Sequence, residues 1–200
     1  MGVDKRLQSE RAIDYDGFTT LMQHLLDAAW GKGWGTFTSD APSGTDPKNV
    51  TFPIITYSLK GLRPGLVGKD TREIRARHRY SEKRETNGNE PAIIKVLGQV
   101  LDAEIVFELW EESNAKVEKL AKRFREFMNI YTGYFISQGL RGIVFVVMND
   151  IPENGKFRDN VQCRKFLYHV QFEEFTEVPV DAMNVIEQVN QLTYDISLRK

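Results

Sequence analysis

The stretch that decides the fold runs from Leu97 to Val147. Its three parts read LGQVLDAEIVFELW at 97–110, ESNAKVEKLAKRFREFMNIYTGYFISQG at 112–139 and LRGIVFVV at 140–147. The first alternates apolar with polar residues, the second repeats apolar residues at helical spacing, and the third is a short apolar run. Together they predict a strand, a long helix and a second strand that share one core. No grouping of catalytic residues occurs among them, so the stretch favours a protein that works through its surfaces.

The first predicted strand has one acidic side. Asp102, Glu104 and Glu108 point away from the apolar face that runs from Leu101 to Leu109. Two acids on one strand can bind a metal, as in nucleases, but such sites usually carry a lysine two residues after the second acid. Position 106 is a valine. We therefore expect a solvated or subunit-facing acidic strip.

The long helix should pack its apolar side on that strand. Ser113 is the predicted N-cap, and Gly139 the predicted C-terminal stop. The apolar residues at helical spacing are Val117, Leu120, Ala121, Phe124, Phe127, Met128, Tyr131 and Phe135. We expect Phe124, Phe127 and Met128 to be buried together with Phe107, where the strand meets the helix.

The flanking sequence adds further elements. A helix is predicted from Asp16 to about Trp30, capped by Asp16 or Asp14 and ended by Gly31. Strands are predicted at Phe52–Leu59 and Arg164–Glu174, the latter antiparallel to Ile143–Met148. A short strand can form at Gly35–Thr38, the sequence TREIRARHRY at 71–80 can form another, and Ser81–Pro91 reads as a loop tip.

This order predicts an α+β domain, with a mostly antiparallel sheet of four or five strands covered by helices. The domain is expected to span 13–178, with extended loops at 31–50 and 60–96. An N-terminal arm at 1–12 precedes it, and a C-terminal helix or tail at 179–200 follows it.

Composition limits the possible functions. The net charge of −1 over 200 residues gives no bulk electrostatic case for binding nucleic acid or an acidic membrane. No apolar run reaches about 18 residues, so no membrane-spanning helix is expected. The single cysteine, Cys163, excludes a disulfide within the chain and argues against a thiolate metal site.

Catalytic and cofactor motifs are not recognisable. The three histidines, His24, His78 and His169, do not show the i, i+4 spacing of a metal pair. Cys163 and His169 are six residues apart on one predicted strand, roughly 20 Å, so we do not expect them to act as nucleophile and base. No phosphate-binding glycine loop occurs. We expect no enzyme activity, no cofactor and no metal.

The basic segment at 63–84 is the one anomaly of charge, and it contains Arg72, Arg75, Arg77 and Arg79. Three interpretations stay open. The segment can pair with acids of a neighbouring subunit, for which Asp102, Glu104 and Glu108 are the candidates. It can contact nucleic acid through phosphates, although only Tyr80 would offer stacking. It can also be disordered.

The chain resembles the tail-terminator, or tail-completion, proteins of long-tailed bacteriophages, especially contractile-tailed phages of Gram-positive hosts. The matching features are the N-terminal helix, FPIITYSLKGLRPG at 52–65 and the stretch from 100 to 146 that begins VLDAEIVFELW. The strand RKFLYHV at 164–170, after an Asp-containing loop, also fits. The likeness covers most of residues 14–175.

This resemblance implies a structural protein of the virion, assembled in the host cytoplasm. Such proteins form a hexameric ring on the last ring of the tail tube, stop its polymerisation and join the tail to the head or neck. The implied partners are further copies of the chain, the tail tube protein and a neck or head–tail connector protein, with passing contact to phage DNA. The family carries no catalytic residues. Another neck or head–tail joining protein, or a nucleic-acid-binding protein using 63–84, remains the alternative.

Overall fold

The computed structural model describes residues 12–39, 51–69, 71–87, 90–150 and 161–179. The predicted C-terminal helix and almost all of the predicted N-terminal arm lie outside these ranges. The helices are α1 at Tyr15–Trp30 and α2 at Asn114–Ser137. The strands are β1 at Thr36–Thr38, β2 at Ile54–Pro64, β3 at Arg77–Asn87, β4 at Glu90–Glu111, β5 at Gly142–Asp150 and β6 at Gln162–Pro179.

The sheet confirms the predicted α+β class and corrects its description. Its strand order is β1-β2-β4-β6-β5, five strands across, and β3 pairs with β4 in line with β2. The sheet is mixed rather than mostly antiparallel, because β1 joins β2 in parallel at Thr36–Thr38. The predicted antiparallel pairing of β5 with β6 is confirmed.

β4 is the central strand, and it is much longer than its apolar pattern suggests. Its 22 residues span roughly 70 Å. One side pairs with β6 from Ile94 to Glu111, and the other pairs with β3 and then β2. The segment 60–96, predicted to be an extended loop, therefore contains the end of β2, all of β3 and the start of β4. Its polar residues pair through the backbone, which a side-chain pattern does not report.

Both helices pack on one face of the sheet, and this contact forms the core. Phe107 and Phe124 are fully buried with ring centroids 5.3 Å apart, and Phe127 and Met128 are buried beside them. The predicted burial of these four residues is confirmed. Phe18 of α1 closes the other side of the core, since its ring lies 5.4 Å from Phe135 and 5.8 Å from Phe172.

Local capping explains where the helices begin and end. The Asp14 carboxylate accepts the Gly17 N–H at 2.8 Å, and the Ser113 hydroxyl accepts the Lys116 N–H at 3.4 Å. Gly31, directly after α1, has φ +88°. A side chain would strain that conformation, so glycine is the residue that lets the chain turn away there. Of the two predicted caps for α1, Asp14 is the one that forms.

Candidate assembly surface

The sheet face opposite the helices carries the acidic strip. Asp102, Glu104 and Glu108 lie on this face, in register with Gln171, His169 and Lys165 of β6. The predicted alternation is therefore observed. The three acids do not share one environment, however. The carboxylate of Asp102 is only 3% exposed, whereas that of Glu104 is 43% exposed.

Asp102 is held by polar partners within its own chain. Arg72 Nη1 lies 3.2 Å from Asp102 Oδ2, and Gln171 Nε2 donates to Asp102 Oδ1 at 2.8 Å. His169 Nε2 lies 3.9 Å from the same oxygen. A buried carboxylate needs such compensation, because burial removes its hydration. The Asp102 carboxylate therefore already has its polar partners inside the subunit.

A short connection after β2 brings Arg72 to this position. Gly65 donates its N–H to the Val100 carbonyl at 2.8 Å and accepts the Glu73 N–H at 2.9 Å. A Cβ at Gly65 would come within 2.9 Å of the Val100 backbone, so the close approach requires glycine. The connection also crosses to β6, where Gln171 Nε2 reaches the Leu66 carbonyl at 3.3 Å.

Glu73 fixes the end of that connection, a role that no pattern in the sequence predicts. Its side chain is 1% exposed, and its Oε2 accepts the Val100 N–H at 2.7 Å. Arg77 Nε lies 3.8 Å from Glu73 Oε1. In the sequence Glu73 is one acid among alternating charges, and no periodicity distinguishes a buried glutamate from a solvated one.

The predicted contact residues of the basic segment are thus separated. Arg72 and Arg77 face acids of their own chain, and Arg63 Nη1 lies 3.8 Å from Glu104 Oε1. Arg75 is exposed. Arg79 lies in β3, and its side chain is outside the described part. Three arginines that face carboxylates offer less positive charge to a phosphate backbone than the sequence alone indicates.

Two ion pairs, each with at least one buried side chain, also tie the elements of the core together. Arg164 of β6 donates from Nε to Glu118 Oε1 of α2 at 2.9 Å, and Arg141 donates from Nε to Glu173 Oε2 at 2.9 Å. Glu173 is completely buried. These contacts brace the helix and the β5 end of the sheet, so they are structural.

The longest run of exposed apolar residues in the described part of the chain lies on β5. Val144 is 60% exposed, Val146 52%, Phe145 and Met148 40% each, and Val147 36%. The apolar sequence of β5 is typical of a core strand. An apolar run does not show whether the strand lies inside the sheet or at its edge. β5 is an edge strand, and α2 covers the sheet mainly over β4 and β6. Contiguous apolar exposure of this kind marks interaction surfaces.

The candidate chemical groups do not converge in the described part of the chain. His24 is exposed on α1, and His169 lies beside Asp102. Cys163 is buried, and burial, with Glu108 nearby, raises the pKa of its thiol to about 12. Among the described residues, no three His, Cys, Asp or Glu side chains are placed to hold a metal ion.

No protein-family model matches this chain, and no curated protein matches it. Neither helix described is both long enough and apolar enough to cross a bilayer.

Proposed function

We propose that this chain is a structural protein of a long-tailed bacteriophage. In this role it forms a ring that caps the tail tube, ends its polymerisation and joins the tail to the head or neck. The observation that carries the proposal is the apolar edge strand β5, with five consecutive hydrophobic side chains at least 36% exposed. A strand of this kind is costly in a lone subunit and useful in an assembly.

Two further features support an assembly role. The β3–β4 hairpin and the end of β6 extend the sheet beyond the part that pairs with β2, which gives each subunit a long β arm. Ion pairs such as Arg141 with Glu173 brace the body of the subunit. A stiff body with a long arm and an apolar edge suits a ring, in which each copy contacts two neighbours through different surfaces.

The test uses purified chain and assembling tail tube protein. We expect the chain to form six-fold rings in negative-stain images, and to halt tube growth when it is added to polymerising tube protein. In labelled virions it should lie where the tail meets the neck. A chain that stays monomeric, leaves tube length unchanged and shifts DNA in a gel would contradict the proposal and favour nucleic-acid binding.

A ring that binds neck components but not tube ends would instead identify another neck or head–tail joining protein. The test variant is Val146→Lys, which places a charge on the exposed edge of β5 and should abolish ring formation and capping together. The matched control is Ile130→Lys on the exposed side of α2, which should abolish neither.

A further inference from the structure

The two edges of the sheet are both open in the described part of the chain. β5 pairs only with β6, and β1 covers β2 only at Ile54–Thr56. The outer side of β2 from 57 to 64 therefore has no strand beside it among the described residues.

The β5 edge lacks the usual protection against strand addition by charge. Gly142–Met148 contains no charged residue, whereas edge strands of monomeric proteins commonly carry lysine or proline. Its irregularity, between Phe145 and Val147, is a bulge. A bulge discourages pairing with a regular strand, but it permits pairing with a strand that bulges at the same level.

β2 has a matching bulge. Its register shifts between Leu59 and Gly61, and the shift leaves Leu59 and Leu62 opposite Ile105 and Ala103. Both partners are core residues, so Leu59 and Leu62 lie on the helix-covered face. They are 38% and 49% exposed. Two partly exposed apolar residues, three positions apart across a bulge, therefore mark this edge.

The same arrangement occurs on β5. Phe145 and Met148 lie opposite Tyr168 and Phe166, again core residues of the helix-covered face. They too are three positions apart across a bulge. The two edges thus carry apolar pairs of equal spacing on the same face.

Strand direction decides how the two edges can meet. β4 runs antiparallel to β2 and to β6, and β5 runs antiparallel to β6. β5 therefore points opposite to β2, and a β5 strand placed beside β2 of another copy continues the antiparallel order. We infer that copies of this chain join in this way, with Phe145 opposite Leu62 and Met148 opposite Leu59.

This contact is head to tail, because each copy gives β5 to one neighbour and β2 to the other. Such a contact closes into a ring when its rotation allows it. The inference rests on the proposed function for ring closure, and it adds the surface and the register through which the copies meet.

The register predicts one further pair that can be tested covalently. Arg63 lies opposite Asp102, and Val144 lies opposite His169, so both face away from the helices. The inferred register sets these two residues opposite each other on neighbouring copies. Directly opposite residues in antiparallel strands have Cα atoms about 4.5–5.5 Å apart, a distance that a disulfide spans. Arg63 and Val144 are 52% and 60% exposed, so neither substitution disturbs the core.

The experiment mixes two variants, Arg63→Cys and Val144→Cys, under mild oxidation. Each carries one introduced cysteine besides the buried Cys163. We expect a disulfide-linked dimer that forms only in the mixture, and none when Ile130→Cys replaces Val144→Cys. Buried Cys163 serves as the internal control, because its thiol should not react in the folded protein. Sedimentation of the unoxidised mixture should show the same oligomer as the wild type.

Two results would overturn the inference. A disulfide dimer of Val144→Cys alone would show that β5 pairs with β5 across a two-fold axis. An intact oligomer without any cross-link in the mixture would show that the copies meet elsewhere. If the cross-link forms but the chain does not cap tail tubes, the edge contact stands and the proposed function fails.

Discussion

Arg72 and Asp102 are thirty residues apart in the chain, and their side chains meet at 3.2 Å. The same Arg72 nitrogen donates to the Pro64 carbonyl at 2.7 Å. Arg72 therefore holds the connection after β2 against the centre of the sheet. It also supplies positive charge to a carboxylate that is almost completely buried. The sequence suggested that Arg72 could pair with an acid of a neighbouring subunit. In the structure it pairs with Asp102 of its own subunit.

Removing that partner should destabilise the fold. We expect Arg72→Ala to lower the free energy of unfolding by about 1–2 kcal/mol, because Asp102 would lose a charged partner while staying buried. The value is moderate since Arg72 itself is 42% exposed and its charge is screened by solvent. Arg63→Ala, which removes an exposed pair with Glu104, should cost less than about 1 kcal/mol. Urea unfolding measures both, and equal losses would contradict the assignment.

Phe124 tests the core. Its ring is fully buried between Phe107 at 5.3 Å and Phe166 at 5.6 Å. Phe124→Ala should cost about 3–5 kcal/mol and lower the melting temperature sharply. Phe175→Ala is the control, because Phe175 is 37% exposed and its truncation opens no closed cavity. A Phe124→Ala variant that melts like the wild type would show that this face is not the core.

Tyr168 carries a buried polar atom without a partner. Its side chain is 3% exposed, and its hydroxyl has no hydrogen-bond partner among the described residues. Burial raises the pKa of this hydroxyl, so it stays neutral at ordinary pH. Because an unsatisfied buried hydroxyl costs about 1–3 kcal/mol, Tyr168→Phe should be neutral or stabilising by thermal melting. A clear loss of stability would reveal a partner for the hydroxyl.

Cys163 should be chemically silent in the folded protein. Burial raises the pKa of its thiol to about 12 from a usual value of 9.0, and the thiolate is the reactive form. A thiol reagent at pH 8 should label Cys163 only after unfolding. The thiol is neutral in both states below about pH 9. As the pH rises from 9 towards 12 only the unfolded thiol ionises, so the stability of the fold falls over this range. Rapid labelling of native protein would contradict the burial.

Arg75 tests whether the basic segment takes part in assembly. It is exposed and lies between the structurally engaged Glu73 and Arg77. If the segment contacts acids of a neighbour, Arg75→Glu should leave the subunit folded but weaken the oligomer at low salt. High salt should reduce the difference, since screening acts on exposed charges. Native mass measurements at several salt concentrations give the answer, and an unchanged oligomer throughout would remove Arg75 from the interface.

Local sequence patterns were enough to predict the strand and the helix that form the core. The alternation in 97–110 and the helical spacing in 112–139 predicted β4, α2 and the burial of Phe107 and Phe124. Ser113 was recognised as an N-cap because capping depends on neighbours within one turn. These features depend on interactions between residues that are close in the chain, so they can be recognised in the sequence itself.

The pairing of distant segments could not be predicted from the sequence in the same way. β3 is a polar strand, with the sequence RHRYSEKRETN, and its partner is the first part of β4. Its sequence shows no regular alternation of apolar and polar residues. The buried role of Glu73 depends on the Val100 N–H, which lies 27 residues away. Hydrogen bonds between distant backbone groups leave no local trace in composition or periodicity.

The sequence by itself determined which segments are apolar and at what period, and therefore the class of the fold and its central strand and helix. Only the tertiary structure decided which apolar segments are covered. The run in β5 is as apolar as a core strand, yet it lies at the sheet edge beyond the cover of α2. Likewise Asp102 and Glu104 belong to one acidic strip, but the connection after β2 buries only the first. Burial depends on what folds back over a residue, and that depends on contacts between distant parts of the chain.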